Sequence, residues 1–199
     1  MEKHLSKTLR QEKKYLFHRQ RLNYVEQKLI SMGFKVNHDP NFVNNIYLDN
    51  FFNSAAIESI EGDAIREKFR IRWYNNSNSY TLESKIRLSS SGYKNKKKLY
   101  GLLLNDAVKE AEKITTRRSI IQNQYFRRYY IRDDIRITLD SQLKFSLPKS
   151  NIYKNYKFCV MEIKYNTEFQ PFCDQLNENL FQLTKFSKYL EGLKSFNLV

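Results

Sequence analysis

The sequence predicts an α+β fold: an antiparallel β-sheet with helices covering its apolar side and fixed charge on its other side. Three observations lead there. At least five segments alternate apolar and charged residues at the two-residue period of a strand. Other stretches repeat apolar residues at helical spacing. The charged faces also mix Arg and Lys with Asp and Glu in one strand phase. Two arrangements satisfy this pattern. The sheet can stay open with its charged side in water, or close into a barrel with a hydrophilic interior and helices packed on the outside.

With 199 residues, 24.0 kDa and 41% hydrophobic residues, the chain suits one domain, 1–199, with a substantial core. The 14 Phe and 14 Tyr against five Gly and three Pro argue against disorder. A net charge of +14 and a pI near 9.7 point to a polyanionic partner: nucleic acid, an anionic membrane surface or a phosphate-rich small molecule. Cys159 and Cys173 form no CxxC pair, and His4, His18 and His38 precede both, which disfavours a zinc site or a disulfide framework. No run reaches 18 apolar residues, and the N-terminus lacks an apolar stretch after its charges. The expectation is a cytoplasmic chain without a transmembrane segment.

Residues 1–9 read as a frayed basic lead-in. Arg10 to Phe17 fits a first strand, with Arg10, Glu12 and Lys14 on one face. Arg21 to Met32 places Leu22, Val25, Leu29 and Met32 at helical spacing, closed by Gly33. The turn-forming run 37–41 leads into a strand from Phe42 to Asp49. Asn53 to Ile60 reads as a short helix, capped by Asn53 or Ser54 and ended by Gly62.

Arg66 to Tyr74 and Tyr80 to Leu88 make a hairpin across Asn75–Ser79. In its first strand Phe69, Ile71 and Trp73 oppose Arg70, Arg72 and Tyr74. In its second Leu82, Ser84 and Ile86 oppose Glu83, Lys85 and Arg87. Two arginines about 7 Å apart on one strand face suit a shared anion, or simply a solvated face. A basic run, Lys94, Lys96, Lys97 and Lys98, precedes a strand from Leu99 to Leu104, and Asn105 to Gln122 is the longest helical candidate.

Gln124 to Ile131 and Asp134 to Asp140 are strands, the latter with Arg136, Thr138 and Asp140 opposite Ile137 and Leu139. Leu143 to Leu147 fits a short strand. Phe158 to Tyr165 sets Val160, Glu162 and Lys164 against Cys159, Met161 and Ile163. The tail, Phe172 to Leu193, reads as an amphipathic helix with Lys185 and Lys188 on one side.

An enclosed face rich in Lys and Arg repels itself unless carboxylates and a bound anion offset it, and Glu12, Glu83, Asp140 and Glu162 supply the carboxylates. Phosphate suits these side chains, because arginine matches its oxygens bidentately and lysine adds mobile point charges. There is no GxxxxGK[ST] and no GxGxxG, so side chains rather than a backbone cradle must hold it. A carboxylate there can also carry a divalent metal that bridges phosphate oxygens.

In order, the chain reads Arg10-x-Glu12-x-Lys14-Tyr15, Ile46-Tyr47-Leu48-Asp49, Arg70-Ile71-Arg72-Trp73-Tyr74, Leu82-Glu83-Ser84-Lys85, Tyr125-x-Arg127, Arg136-Ile137-Thr138-Leu139-Asp140, Met161-Glu162-Ile163-Lys164-Tyr165 and Lys185-Phe186-Ser187-Lys188-Tyr189. This series resembles the catalytic domain of vacuolar transporter chaperone (VTC) polyphosphate polymerases, within the triphosphate tunnel metalloenzyme (CYTH-like) superfamily. The resemblance implies a closed antiparallel β-barrel forming a tunnel, with Arg70 and Arg72 facing Lys85 and Arg136 across it. It implies phosphate ligation by Lys14, Arg70, Arg72, Lys85, Arg127 and Arg136, with further contacts from Lys185 and Lys188 near a tunnel mouth. Lys96 is the choice from the basic run, and Lys164 either contacts phosphate or pairs with a carboxylate. Glu162 is the implied metal ligand, with Glu12, Glu83 and Asp140 as further candidates for a divalent ion, Mn or Mg.

The implied reaction is metal-dependent phosphoryl transfer, above all polyphosphate synthesis from ATP. Hydrolysis of triphosphate, polyphosphate or another nucleoside triphosphate is the alternative. The hydrolytic members begin Glu-x-Glu-x-Lys, and Arg10 replaces the first glutamate here, which favours the polymerase-like branch. A non-catalytic domain that binds polyphosphate or nucleic acid is a further alternative. Nucleic acid is disfavoured, because the arginines alternate in phase with carboxylates of buried type.

Overall fold

The computed structural model describes residues 10–88, 91–99, 103–175 and 181–199. Its strands are β1 (Arg10–His18), β2 (Lys35–Asp49), β3 (Ile65–Tyr74), β4 (Tyr80–Leu88), β5 (Ser91–Leu99), β6 (Arg118–Arg132), β7 (Ile135–Ser146), β8 (Lys154–Asn155), β9 (Phe158–Asn166) and β10 (Gln182–Leu183). Its helices are α1 (Leu22–Ser31), α2 (Ser54–Glu61), α3 (Leu104–Thr115), α4 (Gln170–Gln175) and α5 (Lys188–Ser195). Strand pairing follows the order β10-β1-β9-β7-β6-β2-β3-β4-β5, with β8 on β7. The α+β class holds. Among the described residues no helix is long and apolar enough to cross a membrane.

The closed barrel is corrected. Among the described residues the pairing path has two ends, β10 and β5, and no pairing joins them. Alternation along a strand tells which side each residue takes, and it reads the same in an open and a closed sheet. Closure depends on strand number, tilt and stagger, which alternation does not encode. The basic run is itself strand β5 rather than its prelude, and lysines along an outer strand discourage further pairing. Of the expected strand Leu99 to Leu104, residues 100–102 lie outside the described residues, as does the lead-in 1–9.

Other boundaries moved for local reasons. The run 37–41 belongs to β2, since Pro40 and the residue before it both favour extended backbone. Helix α3 stops at Thr115, Thr116 turns left-handed at φ 53°, and the β-branched Ile120 and Ile121 continue as strand β6. The two strands expected between Asp134 and Leu147 are one, β7. The tail is not one helix. It holds α4, then β10 paired with β1 through Tyr15↔Leu183, then α5. Lys185 therefore precedes α5 and shares no helical face with Lys188.

The described residues form two compact units. The first takes those up to Pro40 with Phe126–Gln142 and Lys157–Phe186. Its core joins Tyr15 and Phe17 of β1, Ile137 and Leu139 of β7, and Met161 and Ile163 of β9 to Val25 and Leu29 of α1. Each such side chain contributes about 1.5–3 kcal/mol when fully buried. The opposite strand phase carries a row across three strands, Lys14↔Glu162 and Glu162↔Thr138.

The second unit takes Asn41–Tyr125, Leu143–Tyr156 and Ser187–Val199. Helix α3 lays Ala107 and Ala111 on Ile71, Trp73, Leu82 and Leu99, its small residues allowing close approach. Helix α2 starts without a capping bond from Asn53. Instead, Asp49 Oδ1 accepts from Ala55 N at 3.2 Å, and Asn50 Oδ1 accepts from Ser54 N at 3.0 Å. It ends at Gly62, whose φ of 83° suits glycine.

Candidate functional site

In the second unit, register sets the charged face of β3 against those of β2, β4 and β5: Asn45↔Arg72, Tyr47↔Arg70, Arg70↔Glu83 and Glu83↔Lys96. Glu83 is the hub. Its Oε2 accepts from Arg70 Nε at 2.8 Å, with Arg70 Nη2 at 2.7 Å and Arg72 Nη1 at 3.6 Å. Its Oε1 lies 3.0 Å from Lys94 Nζ and 4.0 Å from Lys96 Nζ. Burial pushes the Glu83 carboxyl up, yet the Arg70 and Arg72 charges and the Lys94 hydrogen bond hold it down at about 2. Burial lowers the Lys94 ammonium and repulsion from Arg70 and Arg72 adds to that, with Glu83 opposing.

Arg72 Nε donates to Asn45 Oδ1 at 2.8 Å, and Asn45 Nδ2 donates to Asn123 Oδ1 at 2.9 Å. Tyr47 is buried beside these cations. Burial pushes its phenol up, but the charges of Arg70, Lys188 and Arg72 carry it below its ordinary value. The start of α5 faces the same group, with Lys188 Nζ 4.4 Å from the Tyr125 ring and Lys68 Nζ 3.5 Å from Ser187 Oγ. Asp49 anchors the helix, accepting from Tyr189 Oη at 2.5 Å. Four cations around one carboxylate leave an excess of positive charge that an oxyanion would offset.

In the first unit, Lys164 Nζ lies 2.6 Å from Glu162 Oε1 and 3.9 Å from Glu12 Oε2, and Lys14 Nζ lies 3.2 Å from Glu12 Oε1. Burial raises the Glu162 carboxyl, but the Lys164, Lys14 and Arg127 charges hold it at about 2. Arg127 meets Asp140 in a fork, Nε to Oδ1 at 2.6 Å and Nη2 to Oδ2 at 2.7 Å. Asp140 is fully buried with both oxygens engaged, as are both oxygens of Glu83, so neither carboxylate is open to a metal. Among the described residues no three His, Cys, Asp or Glu gather as a metal cage. Glu162, partly exposed, with Glu12 nearby, has the hard oxygen donors that suit a divalent ion.

The remaining candidates spread out. Lys85 is exposed opposite Lys68, Arg136 is exposed opposite Lys164, and Lys185 is exposed ahead of α5. Lys96 does reach Glu83, but Lys94 reaches it more closely. Sequence reasoning passed over Lys94, Asn45, Asn123 and the role of Tyr47. Strand parity could have found Lys94, which shares a face with Lys96. A cavity of about 490 Å³ lies elsewhere, between β5 and α3, where Lys97 and Lys113 mix with Asp106 and Glu110. It holds none of the residues around Glu83.

The family model of the VTC domain matches residues 9–119 and 103–197. A comparison with curated proteins gave no match. Among solved structures, the PH1012 protein of Pyrococcus horikoshii OT3 is similar with a TM-score of 0.58 at 13% identity, covering 90% of this chain and 99% of that one. HpAC1 of Hippeastrum, a candidate adenylyl cyclase with a dominant triphosphatase activity, gives 0.57 at 9%, covering 92% and 95%. A candidate adenylate cyclase of Vibrio parahaemolyticus gives 0.57 at 11%, covering 90% and 97%. At these identities the likeness is one of fold.

Proposed function

The chain belongs to the VTC domain family, and from that membership we propose that it catalyses metal-dependent phosphoryl transfer on triphosphate or polyphosphate, with polyphosphate synthesis from ATP as its reaction. The observation that carries this reading is the set of Arg70, Arg72, Lys94 and Lys96 around the single carboxylate of Glu83, an excess of positive charge built into the sheet. In this reading Arg70, Arg72 and the lysines bind phosphate oxygens and neutralise charge as the phosphoryl group moves. Lys188 adds a contact from the start of α5. Lys14, Lys85, Arg127, Arg136, Lys164 and Lys185 are weaker candidates for the same work, Arg127 because Asp140 already engages it. Glu162, with Glu12 nearby, would hold the divalent ion, Mn or Mg, which would supply charge neutralisation to the phosphates. Positioning and charge stabilisation account for most of catalysis in transfers of this kind.

Triphosphate hydrolysis is the second reading, favoured by the triphosphatase activity of the similarly folded HpAC1. Purified protein given ATP and Mn separates the two. A ladder of phosphate polymers on a gel supports synthesis, and release of free phosphate alone supports hydrolysis. Arg72→Gln should abolish either activity while circular dichroism stays unchanged. Normal turnover by that variant would overturn both readings.

A further inference from the structure

Arg70 and Arg72 stand two residues apart on one strand face, yet they are held differently. Arg70 gives Nε and Nη2 to a carboxylate oxygen of Glu83 at 2.8 and 2.7 Å, which compensates its charge. Arg72 gives Nε to the neutral amide oxygen of Asn45 at 2.8 Å, and its nearest distance to Glu83 is longer, 3.6 Å.

The amide orientations follow from chemistry. A guanidinium only donates, so Asn45 must turn its oxygen to Arg72 and its nitrogen to Asn123. Asn123 must then receive with its oxygen, as it does at 2.9 Å. Among the described residues this leaves Asn123 Nδ2 buried without a hydrogen-bond partner, with Asn45 0% and Asn123 1% exposed. Such an orphan costs about 1–3 kcal/mol. An aspartate at position 45 would still accept from Arg72 Nε and, with the Asn123 amide flipped, from Asn123 Nδ2, which moves the orphan to Asn123 Oδ1 and adds a charge that neutralises Arg72. The neutral amide instead holds the guanidinium by one hydrogen bond and leaves Arg72 its charge.

Resting on the phosphoryl-transfer reading above, we propose that Asn45, itself fixed by Asn123, is a positioning residue that orients the Arg72 guanidinium without neutralising it. Of the two arginines, Arg72 then carries the less compensated charge and makes the stronger contact with phosphoryl oxygens of a triphosphate.

Calorimetric titration of inorganic tripolyphosphate into wild type, Arg72→Gln, Asn45→Asp and Asn123→Leu tests this, with thermal melts alongside. Asn45→Asp should keep or raise Tm yet bind tripolyphosphate at least tenfold more weakly, with a shallower salt dependence. A role in folding alone would not produce that split. Asn123→Leu, which frees Asn45 to rotate, should also weaken binding at least tenfold, and it decides the matter if Asn45→Asp fails to fold. Wild-type affinity in these variants while Arg72→Gln binds weakly would overturn the positioning role and leave the function standing. Wild-type affinity in Arg72→Gln itself would overturn the function reading too.

Discussion

Arg70 and Glu83 are register partners on β3 and β4, and the arginine closes on one carboxylate oxygen through both Nε, at 2.8 Å, and Nη2, at 2.7 Å. The other oxygen faces Lys94 at 3.0 Å. A buried carboxylate engaged on both oxygens supports the sheet and sets the charge that any bound anion meets.

The acid limb of stability should report this. Burial pushes the Glu83 carboxyl up, but Arg70, Arg72 and Lys94 bring it from an ordinary 4.5 down to about 2. A depressed carboxyl contributes stability that is complete above the unfolded value and is lost as pH falls toward the folded one. Resistance to urea should therefore fall as pH drops from about 4.5 to 2. Glu83→Gln should flatten that slope and cost about 3–5 kcal/mol at neutral pH, as breaking a buried pair does. An unchanged slope in the variant would remove Glu83 from the account.

How much of this was legible beforehand follows from what periodicity encodes. Parity placed Arg70, Arg72 and Glu83 on one face, and Glu162 with Lys164 on another, because side chains alternate strictly along a strand. It could not place neighbours in register, so Lys94 was not separated from Lys96, although both reach Glu83. Nor could it see Asn45 and Asn123, polar residues whose task depends on partners 27 and 78 positions away. The tail misled because Lys185 and Lys188 suit one helix face by spacing, whereas pairing of Leu183 with Tyr15 makes Gln182–Leu183 a strand. Closure of the sheet left no trace in alternation at all.

Tyr189→Phe should loosen α5. The phenol donates to Asp49 Oδ2 at 2.5 Å, and Asp49 is fully buried with Arg117 Nη1 at 3.4 Å. Losing that donor leaves a buried acceptor short of one partner, a cost of about 1–3 kcal/mol. For a chain of this length each kcal/mol lowers Tm by about 2–4 °C. A differential scanning calorimetry trace identical to wild type would show that Asp49 does not depend on this bond.

Gly192→Ala should destabilise through overpacking rather than backbone strain. A Cβ at this position would stand 2.9 Å from Ile121 Cγ1 and 3.0 Å from Phe145 Cδ1, both in the buried interior of the second unit. Neither side chain has room to retreat cheaply, so a loss of about 1–3 kcal/mol is expected in urea denaturation. A variant as stable as wild type would mean that α5 shifts outward freely, and the Tyr189 bond should then weaken with it.

Lys164 gives the last prediction, because it sits on the oxygen a metal would use. Its Nζ lies 2.6 Å from Glu162 Oε1, while Lys14 is engaged with Glu12 at 3.2 Å. A divalent ion arriving alone must displace that ammonium. Lys164→Met keeps the length of the stem and removes the charge, while Lys14 and Arg127 still favour an ionised Glu162. Mn binding to the free protein, followed by electron paramagnetic resonance, should tighten at least fivefold in Lys164→Met and vanish in Glu162→Gln. Equal Mn affinity in wild type and Lys164→Met would show that the ammonium does not compete for Glu162, and persistence of binding in Glu162→Gln would move the metal to other ligands.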